Sequence, residues 1–177
     1  EFIQIAKKNL SIESYFALTK NIIYPKNSYG KLGGKSAGLF LASQIIKKYA
    51  EEHPLLTGIK TPKSWYINSD GLINFIYYNN LENIMEQKYK ELDEISVEYP
   101  NIIQIFKHSQ FPQEILKGLQ MALDDFGETP IIVRSSSLLE DRLGSSFSGK
   151  YKSLFLANQG SREERLEALT DAVAEVY

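Results

Sequence analysis

Two stretches of this chain carry cations and glycines in a pattern suited to a polyphosphate. Gly33-Gly34-Lys35-Ser36-Ala37-Gly38 opens an apolar helical run. Much later comes Ile131-Ile132-Val133-Arg134-Ser135-Ser136-Ser137, followed by the turn Gly144-Ser145-Ser146-Phe147-Ser148-Gly149-Lys150. Backbone N–H groups at a helix start, with fixed cations nearby, offset several negative charges at once. The pairing points to nucleotide binding.

Each stretch also has a plainer explanation. A P-loop needs glycine, four residues, then Gly-Lys-Ser/Thr. Gly34-Lys35-Ser36 fits, but Tyr29 stands where the first glycine belongs and Gly30 is one residue too close. Residues 22–28 hold Pro25 and polar residues instead of the buried strand that a P-loop follows. A P-loop hydrolase would also need an apolar strand ending in aspartate, whereas the strands here end in Arg134 and near Asn158. Lys35 opposes the dipole of its own helix, which favours anions at that end. It is therefore either a surface lysine at a Gly-Gly turn or one half of an anion site. Arg134 ends an apolar strand, where a guanidinium needs a partner. That partner is either Glu140 or Asp141, or a phosphate held bidentately. The Gly/Ser turn suits a lid over phosphates, with Phe147 as its anchor, and equally a hairpin leading to Tyr151.

Composition narrows the classes. The chain has 177 residues, 43% hydrophobic and 24% charged, with a net charge of -2. A chain of this size buries roughly 70% of its unfolded surface, so one domain or two small lobes are expected. The balanced charge leaves no broad footprint for nucleic acid or acidic membranes. Absence of cysteine excludes disulfides, thiolate zinc sites and a thiol nucleophile. No apolar run is long enough to span a bilayer. A soluble, cytoplasmic protein is the expectation. The first residues begin inside an ordered-looking pattern, and the last stop within a helical repeat, as expected for a piece of a longer polypeptide. His53 and His108 read as surface histidines.

The elements that must position the cations follow from periodicity and turn chemistry. A short helix is expected from Ser11 onward, and a loop over residues 24–28. The run 36–50 reads as a helix with Leu41 (or Ala42), Ile45 and Tyr49 on one side. Residues 61–67 suggest a strand with Pro62 at its start. Ser69 or Asp70 is placed to cap a helix through Tyr78, and a polar helix is expected over 81–95. Pro112 starts a helix with the stripe Leu116, Leu119, Leu123 and Phe126, ended by Gly127. Residues 130–134 and 151–156 read as short buried strands. Ser161 with Glu164 forms a capping box before Leu166, Leu169, Val173 and Val176. Strands and helices without strict alternation favour an α+β fold.

In this order the motifs carry a family resemblance. Leu32-Gly33-Gly34-Lys35-Ser36-Ala37-Gly38-Leu39 resembles Gly-Gly-Lys-x-Ala-x-Leu. Val133-Arg134-Ser135-Ser136-Ser137-Leu138-Leu139-Glu140-Asp141 resembles Val-Arg-Ser-Ser followed by Glu-Asp. Ser146-Phe147-Ser148-Gly149-Lys150-Tyr151-Lys152-Ser153 resembles Ser-Phe-Ala-Gly-x-x-x-Thr/Ser. Together they resemble the N-terminal nucleotide-binding domain of phosphoenolpyruvate synthase and pyruvate phosphate dikinase, over about residues 29–177. Residues 1–28 then form a helical lead-in, and 81–110 an insert matching no family motif.

The resemblance implies part of an ATP-grasp-like α+β domain, with a small mixed or antiparallel sheet and packed helices. It implies ATP contacts from Lys35, Arg134, Ser135, Ser136, Gly149, Lys150 and Ser153, the segment 146–153 forming the lid. No catalytic residue and no metal ligand is implied within the chain itself. In such enzymes ATP phosphorylates a histidine on a separate domain, and the phosphoryl group passes to pyruvate or, in relatives, to glucans or an antibiotic. The partners implied are ATP, Mg2+ and the phosphohistidine domain of the same longer polypeptide, with no nucleic acid and no membrane. The alternative is a non-catalytic nucleotide-binding module for regulation or interaction. Lys150 departs from a common glutamine and Ser153 from a common threonine. The acidic and Arg/Gln-bearing segments that complete the ATP site and hold magnesium are expected beyond this chain, as is the phosphohistidine motif.

Overall fold

The structure, a computed structural model, describes residues 2–137 and 151–177. Helix α1 spans Phe2–Asn9 and α2 Ile12–Thr19, the latter started by a capping box between Ser11 and Ser14. Strand β1 (Ile22–Ile23) leads through a loop to α3 (Gly34–Ala50). Strand β2 (Tyr66–Ile67) runs parallel to β1, Ile22 opposite Tyr66 and Ile23 opposite Ile67. Helix α4 (Ser69–Tyr78) follows, then a 3-10 segment Glu82–Tyr89, α5 (Leu92–His108) and α6 (Gln113–Phe126). Strands β3 (Ile131–Arg134) and β4 (Ser153–Leu156) pair antiparallel, and α7 (Arg162–Val176) packs beside them. The fold is α+β, with two small two-stranded sheets, one parallel and one antiparallel.

The core lies between α4, α5, α6 and α7. Phe75, Ile115 and Leu123 are fully buried there. Phe75 stacks against Phe106, Phe111 and Tyr177 with ring centroids 5.5, 4.8 and 5.4 Å away, near the optimum for tilted and edge contacts. Helix α6 offers Ile115, Leu119, Ala122 and Leu123 on one stripe, close to the sequence-derived set. Gly118 on the same helix is what lets β1 approach. A Cβ there would sit 2.5 Å from the side chain of Ile23.

Several sequence expectations shift once the chain packs. The helix expected over 81–95 is instead the 3-10 segment and the first turn of α5. Helix α5 then runs through Pro100, which helix rules place at a boundary, with Pro100 on the exposed side. It also buries Phe106 and packs Ile102 on the core, so this part of 81–110 is a wall of the core as well as a solvated surface. Of the strand expected over 61–67, only Tyr66–Ile67 pairs, because β1 offers two residues. The cap of α4 is Asn68, and Ser69 and Asp70 bond elsewhere. Pro112 is the N-cap of α6 and not its first helical residue.

Strands β3 and β4 are half-buried, not buried on both faces. Ile131, Val133 and Leu156 pack on the core, while Ile132 and Phe155 are 44% and 82% exposed. Period-two alternation in a sheet covered on one side accounts for this.

Turn chemistry locks the second sheet to its helices. Gly127 ends α6 at φ 61, where a side chain would be strained. Asn158, also at positive φ, donates through its side-chain amide to the carbonyls of Gly127 and Thr129 at 2.8 and 2.7 Å. The capping box of α7 between Ser161 and Glu164 forms as expected. Arg162 grips Asp124 on α6 with two bonds of 2.9 Å.

Candidate functional site

Helix α3 begins at a residue that cannot cap it. Its N-cap is Gly33, which has no side chain to accept from the first-turn N–H groups left without intrahelical partners. Ser136 supplies that acceptor from the far end of the chain. The backbone N–H and the hydroxyl of Ser36 both donate to Ser136 Oγ, each at 2.9 Å. A Cβ on Gly33 would overlap the carbonyl oxygen of Ser136, so glycine is required for the two segments to close. Lys35 precedes Ser36, and Arg134 lies two residues before Ser136 on the chain leaving β3. Extended-chain geometry over these few residues keeps the Cα atoms of Lys35 and Arg134 within roughly 15 Å.

Arg134 takes its place from the strand register. Alternation puts it on the outer face of the sheet with Ile132, and it pairs with Ser153 on β4. Arg134 and Ser153 are exposed, whereas Lys35, Ser135 and Ser136 are partly buried. The structure thus gathers five of the sequence-derived site residues around the junction of α3, β3 and β4. Gly149 and Lys150, with residues 146–148 of the lid segment and the alternative Arg134 partners Glu140 and Asp141, lie outside the described residues. Tyr151 O–H approaches Ser137 Oγ at 3.4 Å, bringing the two flanks of that segment together.

A second set of polar side chains, not singled out by sequence, braces the loop ahead of Gly33. Asp70 accepts from the Ser28 hydroxyl at 2.7 Å and from the Tyr29 backbone N–H at 3.0 Å. The Ser28 hydroxyl bond, with the backbone N–H groups of Tyr29 and Gly30 and the Ser69 hydroxyl, holds the Asp70 carboxyl below its ordinary range. Lys31 and Ser69 exchange two further bonds of 3.0 Å, and buried Asn68 donates to Ser28 Oγ at 2.6 Å. Glu114 at the start of α6 accepts from the Lys26 N–H at 2.6 Å. Gly30, the near-miss glycine of the P-loop pattern, is needed here because a Cβ would run into Asn68 and Asp70 at 2.6 to 2.8 Å. Its role is packing. The sequence signal was an Asn-Ser-Asp run, which reads as a cap when its partner loop is unseen.

Other groups stand apart from this junction. His53 and His108 are exposed, as expected. A cavity of about 320 Å³ lies between α5, α6 and α7, lined by residues including Lys107, Gln113 and Asp171, and it holds none of the site residues. Among the described residues, no helix is long and apolar enough to cross a membrane. Nor is any group of three or more His, Asp or Glu side chains there placed to hold a metal ion.

The family described as pyruvate phosphate dikinase, AMP/ATP-binding domain, matches residues 29–177. No solved structure matches the chain. The matched span takes in the glycine loop, the arginine strand, its serine partner strand and the bonds that join them. The chain belongs to the pyruvate phosphate dikinase AMP/ATP-binding domain family, whose ligand is an adenine nucleotide.

Proposed function

We propose that this chain is the ATP-binding part of a dikinase-type phosphotransferase with an ATP-grasp-like cleft. The whole enzyme would use ATP to phosphorylate a histidine on another domain of the same polypeptide and pass the phosphoryl group to pyruvate or a related acceptor. The supporting observation is the Ser36–Ser136 contact, which draws the Lys35 and Arg134 segments to one junction. Lys35 and Arg134 would neutralise the phosphates, Arg134 through a bidentate contact. Ser135 and Ser153 would add hydroxyl donors from the same junction. Gly149 and Lys150 would close the lid over the nucleotide. Such a lobe contributes positioning and charge neutralisation, with the bond-making groups elsewhere. Magnesium, when bound with the nucleotide, would offset the phosphate charge. The acidic segments that the resemblance implies beyond this chain would supply its ligands. ATP supply fits a cytoplasmic setting.

The test is ATP turnover by the intact protein, followed as AMP formation. Lys35→Ala and Arg134→Ala are each expected to lower it by roughly two orders of magnitude, the scale for loss of one transition-state charge contact. Normal turnover in both variants would refute the site. ATP binding without AMP formation in the wild-type protein would favour the non-catalytic module.

A further inference from the structure

We infer that Ser136 is a positioning residue that caps helix α3 from across the fold and thereby sets where Lys35 meets the nucleotide. The inference rests on Lys35 being a phosphate contact, as proposed. Three observations carry it. Gly33 occupies the N-cap position without a side chain, so α3 lacks a local acceptor for its third residue's N–H. Ser136 Oγ takes that N–H and the Ser36 hydroxyl as well, two bonds spanning 100 positions of sequence. Gly33 lacks room for a Cβ because the Ser136 carbonyl fills the space.

The physical consequence is a fixed helix start. A cap bond orients the first turn, and Lys35 is the residue just before the capped N–H. Without the bond, the first turn loses an acceptor and the backbone that carries Lys35 is held less firmly. The same residue lies two positions after Arg134, so one hydroxyl references both cations to each other. A fixed spacing between them favours the ligand that matches it, because less ordering is left to be done on binding. Ser136 therefore acts through Lys35 and not mainly by its own contact.

A double-mutant cycle tests this, with calorimetric titration of magnesium-ATP into the intact protein. Ser136→Ala is expected to weaken ATP binding roughly tenfold when Lys35 is present and less than about twofold in Lys35→Ala, a coupling within the usual range for interacting residues. Ser136→Thr keeps the hydroxyl and is expected to bind near the wild-type level. Equal losses from Ser136→Ala in both backgrounds, or none in either, would overturn the inference while leaving Lys35 as a phosphate contact. A Lys35→Ala protein that binds ATP normally would instead bring down the nucleotide assignment, and this inference with it. Should Ser136→Ala not fold, Ser36→Ala removes one of the two bonds and keeps the backbone. Its loss is expected to be about threefold and to vanish in Lys35→Ala, and an undiminished loss there would count against the inference.

Discussion

Gly33 stands at the N-cap of the helix that holds Gly38, five residues on, yet their surroundings demand opposite things. Gly33 faces the backbone carbonyl of Ser136, and backbone cannot swing aside as a side-chain tip can. Gly33→Ala is therefore expected to cost about 1–3 kcal/mol, the scale of an overpacked contact, measured as a lower urea midpoint. It should also weaken ATP binding, because the loop must move away from β3. An unchanged midpoint would mean that the α3 start and the Ser136 segment are not in contact. Gly30 is crowded by side chains instead, those of Asn68 and Asp70, which hydrogen bonds to the same loop hold in place. A glycine-rich loop need not owe all its glycines to a ligand.

Helix α3 itself carries a removable weakness. A Cβ on Gly38 meets nothing within 4 Å, and the residue lies inside the helix. Gly38→Ala is expected to stabilise the protein by roughly 0.5–1 kcal/mol through helix propensity. On α6 the same change has the reverse sign. Gly118→Ala places a methyl against Ile23 and should destabilise through β1. Thermal melts of the two variants check the pair, and a shift of the same sign in both would contradict the packing described. The sheets show the same dependence on neighbours. Residues 130–134 looked buried because they are apolar, but alternate side chains of β3 and β4 are exposed, Phe155 at 82%.

At the scale of the molecule, one carboxylate ties three elements. Glu175 on α7 pairs with Lys107 at the end of α5 and with Lys152 just before β4, the latter at 2.6 Å. Hydrogen bonds from Lys107 and Lys152 hold its carboxyl below the ordinary value of 4.5. A lowered folded-state value means that the stabilisation is present at neutral pH and is lost as pH falls below about 4.5 and through the folded value. Glu175→Gln should accordingly flatten the acid side of the stability curve. Urea midpoints from about pH 3 to about pH 7 measure this, and parallel curves for variant and parent would remove Glu175 from the account.

Much of the scaffold was legible in the residues. Local rules act within a turn or two, so the capping box at Ser161, the Gly127 stop, the α6 stripe and the helix after Gly33-Gly34 could all be read in advance. The motif order likewise pointed to the family now matched over residues 29–177. What no local rule reaches is a bond between residues far apart. Asp70 and Ser69 looked like caps because their partner loop lies some forty positions away, with Tyr29 at 41 and Lys31 at 38. Ser136 looked like one hydroxyl in a serine run, and its pairing with Ser36 exists only because β3 ends beside the start of α3. Helix α5 passes through Pro100 because core contacts on its other face outweigh one missing bond. The sequence by itself settled the helices that start near Ser11, after Gly33-Gly34, at Pro112 and at Ser161, and which residue types would carry charge. Tertiary structure decided which of those residues meet, because hydrogen bonds and steric overlap act over a few ångströms of space, however distant the partners are along the chain.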